Sequence, residues 1–157
     1  MVALETAEIC HLYISEGHNF FGHHDKVPSR FPMVDVPRIR CLEGRGIEGD
    51  RFLDYKDNYK GQVTFFAMEV YEGLCAKFGV TDKPPSVFRR NILTRNVDLN
   101  ALIGGEFEIQ GLRFLGMAEC SPCHWMDAAF YPGAEAALKN HGGLRAKILS
   151  GGWLSRR

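Results

Sequence analysis

The chain has 157 residues, 45% of them hydrophobic, and its 19 Lys plus Arg are balanced by 19 Asp plus Glu. A chain of roughly 150 residues buries about two-thirds of its unfolded surface, so the length predicts one domain, residues 1–157, around a real core. Zero net charge provides no global field toward nucleic acid or an anionic membrane, so any anion site has to be local. Apolar runs such as Val63-Thr64-Phe65-Phe66-Ala67-Met68 fall far short of the roughly 20 residues of a membrane-spanning helix, and no basic-then-apolar signal opens the chain. The expectation is a cytoplasmic protein with neither nucleic-acid nor membrane partners.

Residues 7–15 alternate as a strand, with Cys10, Leu12 and Ile14 on one face and Ile9, His11 and Tyr13 on the other. Residues 16–32 carry glycines, prolines and His18, His23 and His24, a loop composition. Val34 to Leu42 is predicted to be extended, and Glu43 to Arg51 follows as a glycine-rich loop. Gln62 to Phe65 is a short strand candidate, and Ala67 to Phe78 places apolar residues on one helical face with Gly79 as its stop. Pro84-Pro85 predicts an extended connection into Phe88-Arg89-Arg90-Asn91-Ile92-Leu93, and Asp98 can cap a short helical turn ending at Gly104-Gly105. Glu106 to Gln110 and Leu112 to Glu119 form a hairpin around Gly111. The next helix is expected only from Gly133 to Asn140, closed by Gly142-Gly143, before a strand at Leu144 to Leu149. Short strands with few helices define a β-rich α+β fold, a barrel or folded sheet with peripheral helices.

Chemistry concentrates in Glu119-Cys120-Ser121-Pro122-Cys123-His124-Trp125, where the hairpin ends. Five cysteines, an odd number beside ample core-forming residues, argue for reduced thiols over a disulfide framework. Cys10, Cys41 and Cys75 read as small buried hydrophobes. Cys120 and Cys123 admit three chemistries. A dithiol redox pair needs a helix starting at the first cysteine, which the pattern does not place there. A zinc site could combine Cys120, Cys123 and His124 with a loop histidine such as His18, His23 or His24. A single reactive thiolate could hold a softer metal or carry sulfur, with arginines from distant loops binding an anionic cofactor.

Arg45 and Arg51 flank the glycine loop, and Arg89-Arg90-Asn91 follows the double proline. Guanidinium reads phosphate in a bidentate way that lysine cannot, although adjacent arginines also suit a solvated surface pair. Asp50 can serve as a salt-bridge or turn partner of Arg51. His11 and His141 read as structural, and His23 and His24 as candidates for the mouth of a site. No flavin or nicotinamide fingerprint occurs in the chain.

Five segments carry a resemblance: Gly46-Ile-Glu-Gly-Asp-Arg51, Phe88-Arg-Arg-Asn-Ile92, Asn100-Ala-Leu-Ile-Gly-Gly-Glu-Phe107, Ser121-Pro-Cys123 and Gly143-Leu-Arg-Ala-Lys-Ile-Leu-Ser-Gly-Gly152. In order and spacing they resemble the MOSC domain family, named for the carboxy-terminal domain of molybdenum cofactor sulfurases, in its small stand-alone bacterial form. The resemblance implies a mixed β-barrel like that of pyruvate kinase, with peripheral helices, and a pocket for the pterin-bound molybdenum cofactor (molybdopterin). It implies that Cys123 is the essential cysteine, catalytic and metal-ligating, and that Asp50, Arg51, Arg89, Arg90 and Asn91 bind the cofactor. The activity it implies is molybdenum-dependent reduction of N-hydroxylated compounds, fed by a separate electron donor. Alternatives are a persulfide or cofactor carrier using the same cysteine, loaded by a sulfurase partner, and a structural zinc domain. Cys120 is not a position the resemblance carries over, and a second thiol so close could resolve a Cys123 persulfide as a disulfide.

Overall fold

A computed structural model describes residues 1–17 and 31–157. In chain order the strands are β1 (Val2–Ala3), β2 (Glu8–Ile14), β3 (Val34–Asp35), β4 (Arg38–Leu42), β5 (Gly46–Ile47), β6 (Val63–Ala67), β7 (Ile92–Arg95), β8 (Glu106–Ile109), β9 (Leu112–Glu119), β10 (Leu144–Ile148) and β11 (Gly152–Ser155). Helix α1 (Met68–Phe78) connects β6 to β7, while α2 (Trp125–Ala129) and α3 (Ala134–Ala137) lie between β9 and β10. An eight-stranded sheet in the order β1-β8-β9-β10-β6-β7-β2-β3 is joined by a three-stranded sheet, β11-β4-β5.

The large sheet curls into a half barrel, and the small sheet covers its open side. Ile39, Cys41, Ile47 and Leu154 of the small sheet pack with Ile9, Leu12, Phe65, Ile92, Phe107 and Phe114 of the large one in a single apolar cluster. The seam is sealed by backbone bonds from the Ile9 amide to the Arg157 carbonyl and from the Arg157 amide to the Ile9 carbonyl. On the outer face Phe66, Leu93 and Phe88 form a second cluster with Met68 and Leu74 of α1, Met126 of α2 and Ala134 of α3. Central strands β6 and β7 are therefore buried on both faces, which explains why Phe65-Phe66 and Ile92-Leu93 are continuous apolar pairs rather than alternating ones.

Helix α1 ends at Gly79, whose left-handed φ of 64° turns its amide back to the Cys75 carbonyl, as the sequence predicts. Four expectations change. In β2, the register with β7 slips between Ile9 and His11, and the inserted residue inverts side-chain parity. Ile9, Leu12 and Ile14 consequently face the barrel interior, while Cys10 and Tyr13 face the outer cluster. Val34 to Leu42 divides between two sheets: β3 pairs with β2, and β4 with β5 and β11. The break falls at Pro37, which has no amide for a ladder. Pro85 opens a 3-10 turn, Pro85–Phe88, leaving only Pro84 extended, because a fixed φ suits the first helical position. A helix also begins directly after His124, well before Gly133, and α3 is a single turn. Five residues are too few to show helical periodicity in a sequence.

Cys41 is buried as expected, whereas Cys10 and Cys75 are only half-buried, packed against the outer cluster. His11 is structural, as expected: its Nδ1 lies 2.9 Å from Asp35 Oδ2 and its ring stacks on Tyr13. His18, His23 and His24 lie outside the described residues. Among the described residues, no helix is long and apolar enough to cross a membrane.

Candidate functional site

Asp50 and Arg51 leave the glycine loop where β2 ends, and their side chains are buried, with relative exposures of 0% and 6%. Asp50 Oδ1 accepts hydrogen bonds from the Ser15 amide and from Arg51 Nη1, both at 3.0 Å, and its Oδ2 accepts from the Phe52 amide. The Arg51 amide donates in turn to the Ser15 carbonyl at 2.7 Å. Arg51 Nη2 then reaches across to the Arg89 carbonyl at 3.0 Å. Arg89 closes the 3-10 turn with a left-handed φ of 58°, uncommon outside glycine.

The Arg89 guanidinium donates to the Phe31 and Gly17 carbonyls, each at 2.8 Å, and to Ser15 Oγ at 3.2 Å. Arg90 Nε donates to the Gly142 carbonyl and its Nη1 to the Phe88 carbonyl, both at 3.1 Å. Three guanidiniums are thus gathered near one carboxylate, Asp50, and most of the hydrogen bonds they make go to backbone carbonyls. Burial pushes the Arg51 pKa down, against the opposing pull of Asp50. Burial, followed by repulsion from Arg51, lowers Arg89 to about 10. Among the described residues two positive charges are left over, and a bound anion would offset both the desolvation and the repulsion.

Asn91 lies beneath this cluster and is fully buried. Its Oδ1 accepts from the Thr64 amide and hydroxyl, its amide donates to Thr64 Oγ1, and its Nδ2 donates to the Tyr13 carbonyl. It therefore staples β2 and β6 to the start of β7, fixing the backbone that presents Arg89 and Arg90.

Cys123 is exposed, whereas Cys120 is buried. The Cys120 amide donates to the Gly143 carbonyl at 2.8 Å. A Cβ at Gly142 would overlap the Cys120 carbonyl oxygen, so only glycine permits this approach. Beyond Cys123, whose carbonyl accepts from the Met126 amide, Trp125 Nε1 donates to the Val87 carbonyl in the turn leading to Arg89. The Gly142-Gly143 turn is the common wall, contacted by the cysteine segment on one side and by Arg90 on the other.

The structure unites Asp50, Arg51, Arg89 and Arg90, sets Asn91 under them, and brings the Cys123 segment to the turn that Arg90 contacts. Arg45 is not part of this cluster and pairs with Asp54 at 2.7 Å on the surface. Ser15 and the Gly142 carbonyl were not singled out by sequence, because their role is to present backbone and hydroxyl oxygens that carry no residue-type signal. Also unforeseen is an aromatic flank. The Arg51 guanidinium lies 4.6 Å from the Phe52 ring centre, and Phe52 packs on Tyr55 and Tyr59.

Residues 50–155 match the MOSC domain family, so the chain belongs to that family. Its fold is similar to that of the YuaD protein from Bacillus subtilis, with a TM-score of 0.74 at 16% identity over 96% of this chain and 91% of that one. It is similar also to YiiM from Geobacillus stearothermophilus, with a TM-score of 0.67 at 11% identity over 95% and 71% of the respective chains. For YiiM from Escherichia coli the TM-score is 0.59 at 17% identity, over 92% and 65%. No curated protein matches the sequence. MOSC domains as a family are associated with binding the molybdenum cofactor.

Proposed function

We propose that this protein binds the molybdenum cofactor, with Cys123 as the thiolate ligand of the metal and Arg51, Arg89 and Arg90 facing the phosphate of the pterin, and that it serves the reduction of N-hydroxylated compounds. The observation that carries the reading is the surplus, among the described residues, of two positive charges in a half-buried arginine cluster whose Arg90 contacts the same Gly142-Gly143 turn as the segment that bears the exposed Cys123. A dianionic phosphate placed here meets positive charge that the fold already holds in place, with Arg51 and Arg89 already partly desolvated. A soft, polarizable thiolate suits a high-valent metal next to that anchor. When bound, the cofactor supplies the two-electron redox chemistry, drawing on a separate electron donor.

The chain's own residues orient and hold. Asp50 locks the Arg51 guanidinium, and Arg51 in turn fixes the Arg89 carbonyl. Asn91 is a positioning residue, acting through the backbone of Arg89 and Arg90. Cys123 projects from the turn entering α2, where its exposure leaves the sulfur accessible to metal and substrate.

The test is metal analysis with pterin fluorescence on protein purified from a host that makes the cofactor. Wild type is expected to carry molybdenum and pterin in equal amounts, Cys123→Ser to lose molybdenum, and Arg89→Met to lose pterin by about tenfold or more. Full metal content and activity in Cys123→Ser would sink the metal-ligand role. The exposure of Cys123 also favours a second reading, a sulfur carrier. It predicts an intact mass raised by about 32 Da that thiol reductants remove, with no molybdenum in the wild type.

A further inference from the structure

We propose that His124, Asp127 and Glu135 form a binding site for one divalent first-row transition-metal ion of the zinc type, separate from the arginine and Cys123 site. One ligand atom from each of the three lies within 4.8 Å of the other two. His124 and Asp127 stand three residues apart at the start of α2, a spacing that puts both side chains on one helical face. Glu135 comes from α3, brought back by the turn at Tyr131-Pro132-Gly133, in which Gly133 adopts a left-handed φ of 97° and the Ala134 amide donates to the Tyr131 carbonyl. The Glu135 amide donates to Asp127 Oδ1 at 2.8 Å, so the Asp127 carboxylate is already oriented.

The electrostatics point the same way. Asp127 and Glu135 are two half-buried carboxylates brought together, and among the described residues neither has a Lys or Arg ion-pair partner. Like charges this close repel unless something positive lies between them. One imidazole nitrogen with two carboxylate oxygens is a donor set for zinc-type ions, and three protein ligands leave a fourth position for water. Metal bonds of about 2.0–2.2 Å bring tetrahedral ligand atoms to roughly 3.3–3.6 Å apart, a contraction that side-chain rotation supplies. The opposite faces of these helices are fixed, since Met126, Phe130, Ala134 and Leu138 are buried in the outer cluster. No cysteine belongs to this group, so the zinc site differs from the thiol-based set considered from sequence.

Because His124 directly follows Cys123, an ion here ties the thiol-bearing turn to α3. The full chain, stripped with chelator, is titrated with zinc by calorimetry and with cobalt by absorption spectroscopy. One equivalent of zinc is expected to bind, with Glu135→Gln and Asp127→Asn each weakening it by about tenfold or more. Cobalt should show weak visible bands without the intense near-ultraviolet charge transfer of a thiolate ligand. Zinc binding no tighter in wild type than in Glu135→Gln overturns the proposal, as does a thiolate charge-transfer band. Glu135 is half-exposed, so its variant remains a folded test if Asp127→Asn is destabilised, and far-ultraviolet circular dichroism confirms that both are folded. Neither readout depends on the molybdenum cofactor, so this result and that of the cofactor test are independent.

Discussion

Asn91 shows how one side chain can be indispensable to a site without pointing into it. Both polar atoms of its side-chain amide are hydrogen-bonded, to Thr64 and to Tyr13, joining three strands at one level. Truncation would orphan the Thr64 amide and the Tyr13 carbonyl in a place water does not reach, and an unsatisfied buried polar group costs about 1–3 kcal/mol. Asn91→Ala is therefore expected to lower the stability by roughly 2–4 kcal/mol in urea unfolding, with a shallower loss in Asn91→Asp. A variant as stable as wild type would remove the staple from the account. The sequence shows the residue as the neighbour of two arginines and, through the family resemblance, as a cofactor-binding residue; its inward-facing side chain depends on Tyr13 of β2, 78 positions away in the chain.

At the scale of elements, the site is assembled by a turn rather than by any regular structure. Gly142-Gly143 reads in the sequence as a helix stop, yet its carbonyls hold Cys120 and Arg90. Gly142→Ala is expected to push the Cys120 carbonyl away and displace the cysteine segment, since that backbone oxygen has no flexible end to yield. The measurable outcome is a lowered melting temperature together with reduced molybdenum retention. Unchanged values for both would show that the two segments are not held through this turn. The bulge in β2 acts similarly by setting which face Ile9 and Leu12 present, and a one-residue insertion leaves no trace in an alternating pattern.

Across the whole molecule, burial sets the response to alkali. The fold pushes the Cys41 thiol up from 9.0 to about 12, and raises Tyr13 and Tyr71 from 10.0 to about 12, with burial the largest cause in each case. Between pH 9 and 12 the unfolded chain releases these protons while the folded chain keeps them, so the unfolded state is increasingly favoured as pH rises. Arg89 acts in the other direction, because its pKa is lowered from 12.5 to about 10 and the folded chain loses that proton first. Its contribution begins near pH 10, which leaves the interval from 9 to 10 to the two raised thiols, the deeply buried Cys41 and, in the same direction, Cys10. Urea midpoints are expected to fall as pH rises across that interval in wild type, and to fall less in Cys41→Val. Identical slopes in the two proteins would count against the assignment to Cys41.

The sequence by itself determined the β-rich class, helix α1 with its Gly79 stop, the hairpin around Gly111, and the concentration of chemistry in Cys120 to Trp125. These follow from local periodicity and turn residues, which need no knowledge of distant contacts. The ordered motifs also sufficed for the family, which the match over residues 50–155 shows. Tertiary structure alone decided that Arg51 and Arg89 are desolvated together, that Asn91 faces inward, and that His124 comes together with Asp127 and Glu135. The first two depend on segments far apart in the chain being pressed together by the barrel, and the third on how one turn folds α3 back on α2; the free energy of a charge depends on what surrounds it in space, not on what adjoins it in sequence.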